Sequence, residues 1–181
     1  KLKMQKSTIW ISEKYISKNI AFTSPLCMFY CMNILSNLLE KSQKYTLVIS
    51  GWGTRGFYAL GILKALEELE LKKKIDAIYG VSVGAIIAAF WSAGYSAEEI
   101  YSFWYNFTIF SWKTLGISWK KSILSSDTML ELFKKQLPKT FEELSKKIYI
   151  WAVDSKKSAF VLFKEGSLYE PLLWSMAIPG V

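Results

Sequence analysis

The chain contains no histidine, although it is 181 residues long. Within these 181 residues no imidazole is available to take a proton, so a Ser-His-Asp relay cannot be built from them alone. It also removes the commonest metal ligand. Only two cysteines are present, Cys27 and Cys31. Four residues apart, they would share one face of a helix. Without histidine or further cysteine they do not complete a zinc site. They read instead as two buried thiols in an apolar segment, which suits a reducing compartment. No internal repeat and no low-complexity tract is present. The apolar content, 51 % of residues, is that of a globular domain with a substantial core, not of a disordered chain.

What is present in excess is aromatic surface and positive charge. Aromatics make up 16 % of the chain, eight tryptophans among them, and the net charge is +8. That combination suits an anionic partner, either a membrane surface or a nucleic acid. The alternative is a lysine-rich surface without a partner, because the lysines are scattered and not clustered.

Residues 1–44 differ from the rest. From Asn19 to Leu39 no charge occurs, and lysines precede the run. The length would allow a membrane span. Three asparagines, several hydroxyl residues and a proline weaken its hydrophobicity. It is therefore expected to be a packed or interfacial N-terminal extension, and residues 45–181 the main domain. The chain does not begin with Met and stops at "SMAIPGV", so it is read as part of a longer protein.

From Tyr45 the pattern becomes regular. "YTLVIS" is a short strand that enters the glycine-rich turn "GWGTRG". "FYALGILKALEELELKKK" places Phe57, Leu60, Leu63, Leu66 and Leu69 on one helical face. Lys64, Glu67, Glu68 and Glu70 fall mostly on the other. "IDAIYG" is a second strand, and "VGAIIAAFWSA" a helix apolar nearly all round, hence buried, that should stop at Gly94. Strand, helix, strand, helix with such short loops predicts a βαβ unit and a parallel sheet. Beyond it, "SAEEI" predicts a capped helix start with Ser96 as N-cap and Glu99 three residues on. "SSDTMLELFKKQL" predicts a helix ended by Pro138. "KIYIWAV" and "AFVLF" predict strands joined by "DSKKS", and "SLYEPLLWSMAI" a last helix.

Two glycine motifs carry the chemistry. Gly80-Val81-Ser82-Val83-Gly84 is a G-x-S-x-G on a strand-to-helix turn, the setting that lifts a serine hydroxyl clear of the backbone. Glycines two residues on either side let strand and helix approach closely, and the helix N-terminus favours negative charge near the serine. Gly51-Trp52-Gly53-Thr54-Arg55-Gly56 is a G-x-G-x-x-G. As a dinucleotide fingerprint it would need an acid at the carboxyl end of the second strand. Asp76 opens that strand instead, which argues against NAD. In a parallel βαβ unit both turns lie at the same edge of the sheet. The first would then supply backbone N–H groups at Gly51, Trp52, Gly53 and Thr54, and the second a nucleophile at Ser82, the arrangement acyl transfer requires. Arg55 either adds fixed positive charge or anchors the loop.

With these residues in view, the sequence resembles the patatin-like phospholipases. The match lies in "VISGWGTRGFYALGILKALEEL", in "IYGVSVGAIIAA" and in "SMAIPG", and extends from about Tyr45 to Val181. The resemblance implies an α/β protein with a three-layer α/β/α, lysophospholipase-like fold around a mainly parallel sheet. It implies a serine–aspartate dyad that hydrolyses lipid acyl esters, so histidine is not required. It further implies a phospholipid or other lipid ester as substrate, a membrane surface and not nucleic acid as partner, no metal or cofactor, and a cytoplasmic location, free or peripheral at a membrane. In the family the Asp lies in a D-G-[GA] motif beyond the S-x-x-x-P-G stretch, which this chain does not reach. Of the aspartates present, Asp76 begins its strand, Asp127 fits a helix cap, and Asp154 could lie at the catalytic edge or serve only in a turn. The chain alone is thus expected to lack its general base and to be inactive. Trp52 departs from the family's G-G-G-x-R pattern and would either line the acyl site or mark a degraded oxyanion hole. "YSFWYNFTIFSWKTLGISWKK" (Tyr101–Lys121) is either a lipid-seating segment or the inner face of covering helices. The competing function is a lipid-binding module that kept the fold without catalysis.

Overall fold

The computed structural model describes residues 8–11, 44–51, 57–114 and 126–177, with the backbone alone for 8–11, 57 and 106–114. The strands are β1 (Thr8–Ile11), β2 (Tyr45–Ile49), β3 (Ile75–Val81), β4 (Lys147–Asp154) and β5 (Ala159–Phe163). The helices are α1 (Phe57–Glu68), α2 (Val83–Ser92), α3 (Ala97–Thr114), α4 (Ser126–Gln136) and α5 (Tyr169–Met176). The strands form one five-stranded sheet in the order β1-β2-β3-β4-β5. β1 to β4 run parallel, and β5 turns back antiparallel on β4. The expected α/β fold with a mainly parallel sheet flanked by helices is present, including the βαβ unit made of β2, α1 and β3.

Period-two alternation fixes which face of the sheet is dry. Leu47, Ile78 and Ile148 lie side by side, as do Ile49, Gly80 and Ile150, and all six are buried. The five with side chains join one core with Leu60, Leu63 and Leu66 of α1, Phe133 of α4 and Leu172 of α5. On the alternate face Val48, Tyr79 and Tyr149 are half-buried, with the two tyrosine rings stacked 4.4 Å apart. Burial, and then its neighbour Tyr149, push the Tyr79 phenol above its ordinary pKa. α2 is buried from Gly84 to Ser92, as its all-round apolar sequence requires. It ends at Gly94, whose φ of +110° reverses the chain.

Two features differ from the sequence reading or add to it, and a third agrees with it. β1 comes from the N-terminal extension and pairs in register with β2, Thr8 opposite Thr46 through Ile11 opposite Ile49. Four residues carry too little periodicity to announce a strand. The uncharged run Asn19–Leu39 and both cysteines lie outside the described residues. Among the described residues no helix is long and apolar enough to cross a membrane.

The second difference is Glu67, which turns inward and not to solvent with Glu68 and Glu70. Its Oε1 accepts a hydrogen bond from Trp91 Nε1 at 2.5 Å. The Ala97 N–H donates to the same carboxylate, 3.1 and 3.2 Å from its two oxygens. Lys72 Nζ stands 4.0 Å from it and 4.7 Å from the centre of the Trp91 ring. Glu67 thus satisfies the first free N–H of α3, a donor that every helix start must dispose of. The third is the predicted capping box, which is formed. Glu99 N–H donates to Ser96 Oγ at 3.2 Å, and Ser96 N–H to Glu99 Oε2 at 2.7 Å. The Ser96 backbone and side-chain hydrogen bonds hold the Glu99 carboxyl below the usual range.

Replacing Glu67 by alanine strands the indole N–H of the fully buried Trp91 and the Ala97 amide. Glu67→Ala is expected to lower stability by about 1–3 kcal/mol, and Glu67→Gln by less, because the amide oxygen still accepts. Urea unfolding midpoints measure both; equal stability of Glu67→Ala and wild type would refute the assignment.

Candidate active site

β3 ends at Val81, and the next residue, Ser82, has φ 55° and ψ −130° before α2 begins at Val83. A side chain at such angles costs roughly 1–3 kcal/mol, so it persists only when the surroundings impose it. They impose it on both sides. The Ser82 carbonyl accepts hydrogen bonds from Ala85 N–H at 2.9 Å and Ile86 N–H at 3.3 Å. The Ser82 N–H donates to Ser175 Oγ at 2.7 Å. Ser175 Oγ in turn donates to the Trp151 carbonyl at 2.6 Å, and Trp151 is the β4 residue opposite Val81.

Gly80, Gly84 and Gly51 are explained by what a Cβ would meet. At Gly80 it would fall 2.5 Å from Ala85 Cα. At Gly84 it would fall 2.4 Å from the Ile49 carbonyl oxygen and 2.7 Å from that of Ser50. The first turn of α2 therefore rests against the exit of β2. A Cβ on Gly51 would lie 2.9 Å from Ser82 Cβ and 3.6 Å from Ser82 Oγ. Gly51, at the exit of β2, and the serine elbow after β3 are thus neighbours at one edge of the sheet. Trp52, Gly53, Thr54 and Arg55 lie outside the described residues.

The three aspartates can be placed. Asp76 pairs with Lys44 at 3.3 Å and opens β3, six residues before Ser82 and so ~20 Å away at the opposite edge. Asp127 lies within the first turn of α4 and is exposed. Asp154 ends β4 at the same edge as Ser82, but its carboxylate is used locally. Oδ1 accepts from Lys156 N–H at 3.0 Å and Lys157 N–H at 3.2 Å, and Oδ2 lies 3.8 Å from Lys157 Nζ. It closes the β4–β5 turn.

The surroundings of the site are apolar and partly open. Val81 is 38 % exposed, and Val153 and Phe160, paired across β4 and β5, are 58 % and 77 % exposed. The Trp151 ring stands edge-on to Phe160, with centroids 6.2 Å apart. In the aromatic stretch of α3, Phe103 and Trp104 pack on buried Phe90 with centroids 5.4 and 6.3 Å away, which is the inner-face alternative. Tyr101 and Tyr105 stack on each other at 5.9 Å on the half-exposed outer face. Side chains from Asn106 to Lys121 lie outside the described residues. Sequence reasoning missed Ser175. Its signal was membership of the "SMAIPG" stretch, to which no role had been attached.

An α/β sheet with a strained serine at a strand-to-helix elbow, with Gly51 close beside it, defines the class. The family profile for Patatin-like phospholipase matches residues 47–181. The chain belongs to the patatin-like phospholipase family. It is 42 % identical over 59 residues to the cUMP-AMP-activated phospholipase of Escherichia coli, covering 31 % of this chain and 18 % of that protein. It is 33 % identical over 91 residues to lysophospholipase NTE1 of Eremothecium gossypii, covering 50 % of this chain and 6 % of that one. Among solved structures, the effector ExoU of Pseudomonas aeruginosa superposes with a TM-score of 0.49 at 17 % identity, covering 75 % of this chain and 38 % of that one. The chain thus spans less than a fifth of these curated relatives.

The glycine contacts generate a graded expectation. Gly84→Ala drives a Cβ into β2 backbone and should abolish soluble expression or lower the melting temperature sharply. Gly94→Ala has open space around it and only its positive φ to offend, a cost of about 1–3 kcal/mol. Thermal unfolding of the two variants orders them; a Gly84→Ala protein as stable as Gly94→Ala would contradict the packing.

Proposed function

We propose that this chain carries the nucleophile of a lipid acyl hydrolase. The observation that carries the reading is Ser82 at φ 55° with Gly51 against its side chain. A turn that merely joins a strand to a helix has no use for a strained serine beside an amide-bearing loop. Ser82 Oγ attacks the ester carbonyl and its proton passes to a carboxylate. The oxyanion is held by backbone N–H groups from Gly51 to Thr54, with Arg55 adding positive charge and the N-terminus of α2 favouring the same sign of ligand. The alcohol leaves, and water then cleaves the acyl-enzyme. Neither Asp76 nor Asp154 is disposed to take the proton, and Asp127 is exposed in the first turn of α4. The family resemblance implies that the base is an Asp outside these 181 residues.

A serine-directed fluorophosphonate on the full-length gene product should label wild type at Ser82 and leave Ser82→Ala unlabelled. Equal labelling of both removes the mechanism. A lipid-binding module without catalysis predicts unchanged liposome binding in Ser82→Ala and no ester turnover by wild type.

The substrate side of the proposal is an anionic lipid surface. The β4–β5 hairpin combines exposed Val153 and Phe160 with Lys156 and Lys157 at its tip, on the serine's edge of the sheet. Aromatic bodies beside lysines suit a charged lipid interface. Withdrawing the Phe160 ring from water is worth roughly 1.5–3 kcal/mol. Phe160→Ser should therefore weaken binding to anionic vesicles by about tenfold or more, while turnover of a short soluble ester stays at the wild-type level. Unchanged vesicle binding would exclude the hairpin from the interface.

A further inference from the structure

We infer that Ser175 is a positioning residue for the nucleophile, a role that rests on the reading of Ser82 given above. The direction of its hydrogen bonds is unambiguous. A serine hydroxyl has one proton, and that of Ser175 is given to the Trp151 carbonyl, because a carbonyl can only accept. The lone pairs of the same oxygen are left to accept the Ser82 N–H. Both distances, 2.6 and 2.7 Å, are short and well within hydrogen-bonding range.

The place of this bridge gives it a function. Val81 is the last β3 residue paired with β4, and Ser82 is the first to leave the ladder. Its amide is a part-buried donor at the point where regular pairing stops, and such a donor needs a partner. Ser175 meets it from α5, 93 residues further along the chain. The peptide plane before Ser82 is held by Ser175, and the plane after it by Ala85 and Ile86 N–H. With both planes fixed, the unusual φ and ψ of Ser82 are fixed, and the direction of its Cα–Cβ bond toward the Gly51 loop follows. Removing the hydroxyl frees the first plane to rotate, and a misplacement of about an ångström at a nucleophile costs on the order of a hundredfold in rate.

The test compares Ser175→Ala, Ser175→Val and Ser175→Thr in the full-length gene product, with circular dichroism to establish folding. Threonine and valine have the same shape and differ in the hydroxyl, so the pair remains informative if the alanine variant fails to fold. Two readouts are taken. The first is the fluorophosphonate reaction at Ser82, resolved into maximal rate and half-saturating concentration. The second is hydrogen exchange of the Ser82 amide, which does not depend on reactivity. The expected result is a maximal rate lowered by roughly 10–100-fold in Ser175→Val and Ser175→Ala, with the half-saturating concentration unchanged. The Ser82 amide should exchange at least about tenfold faster in the same variants, as expected when a protecting hydrogen bond is lost, and Ser175→Thr should match wild type in both. An amide that stays protected in Ser175→Val overturns the inference, as does a threonine variant as impaired as the valine one. Wild type that does not label overturns the nucleophile reading itself, and the inference with it, whatever the exchange data show.

Discussion

The close seating of α2 on the end of β2 is the constraint on which the rest of the molecule depends. Gly84 leaves no room for even a methyl group between the helix and the Ile49 carbonyl. Because that contact is so tight, the helix must start immediately after the strand, and the intervening residue has to absorb the whole change of direction. Ser82 absorbs it in a backbone conformation that most side chains avoid. Gly80 makes the matching concession on the strand side, against Ala85. The elbow is thus the product of two backbone approaches, and the serine stands where their geometries meet.

The helices are organised around the same seat. α2 is surrounded, and its polar edge is dealt with by carboxylate and hydroxyl chemistry borrowed from elsewhere. Glu67 of α1 serves both the Trp91 indole on α2 and the first amide of α3. The carbonyl of Ser92 at the far end of α2 accepts from the backbone and the hydroxyl of Ser145. Burial lowers the pKa of Lys72, and Glu67 beside it works in the opposite sense. A lysine ammonium set over an indole next to a carboxylate is a compact way of closing an apolar layer without leaving charge unpaired.

Much of this was legible because the relevant signals are local. The alternation in "YTLVI", the all-apolar "VGAIIAAFWS" and the Ser96–Glu99 box each encode their structure within one turn or strand. The approach of Gly51 to Ser82 followed from the sense of the strands alone, since parallel strands end on one edge. What escaped were interactions whose partners are far apart in sequence. Glu67 has the periodicity of a solvent-facing residue, and only the arrival of α3 above it gives the carboxylate something to hold. Ser175 looks like any serine near a helix end. β1 is too short for a period to register, and its pairing depends on β2. In each case the missing information was tertiary, and no window of sequence contains it.

The span between the elbow and its brace also has a temporal meaning. The Ser82 amide and the Ser175 hydroxyl are 93 residues apart in the chain. At ribosomal speeds of roughly 5–20 residues per second, the serine leaves the synthetic centre some 5–20 seconds before the group that steadies it. Until α5 is made and lies down on β4, the turn that bears the hydroxyl has its carbonyl anchored and its amide loose. The newborn chain therefore passes through a stage in which Ser82 has been made and the hydroxyl that accepts from its amide has not.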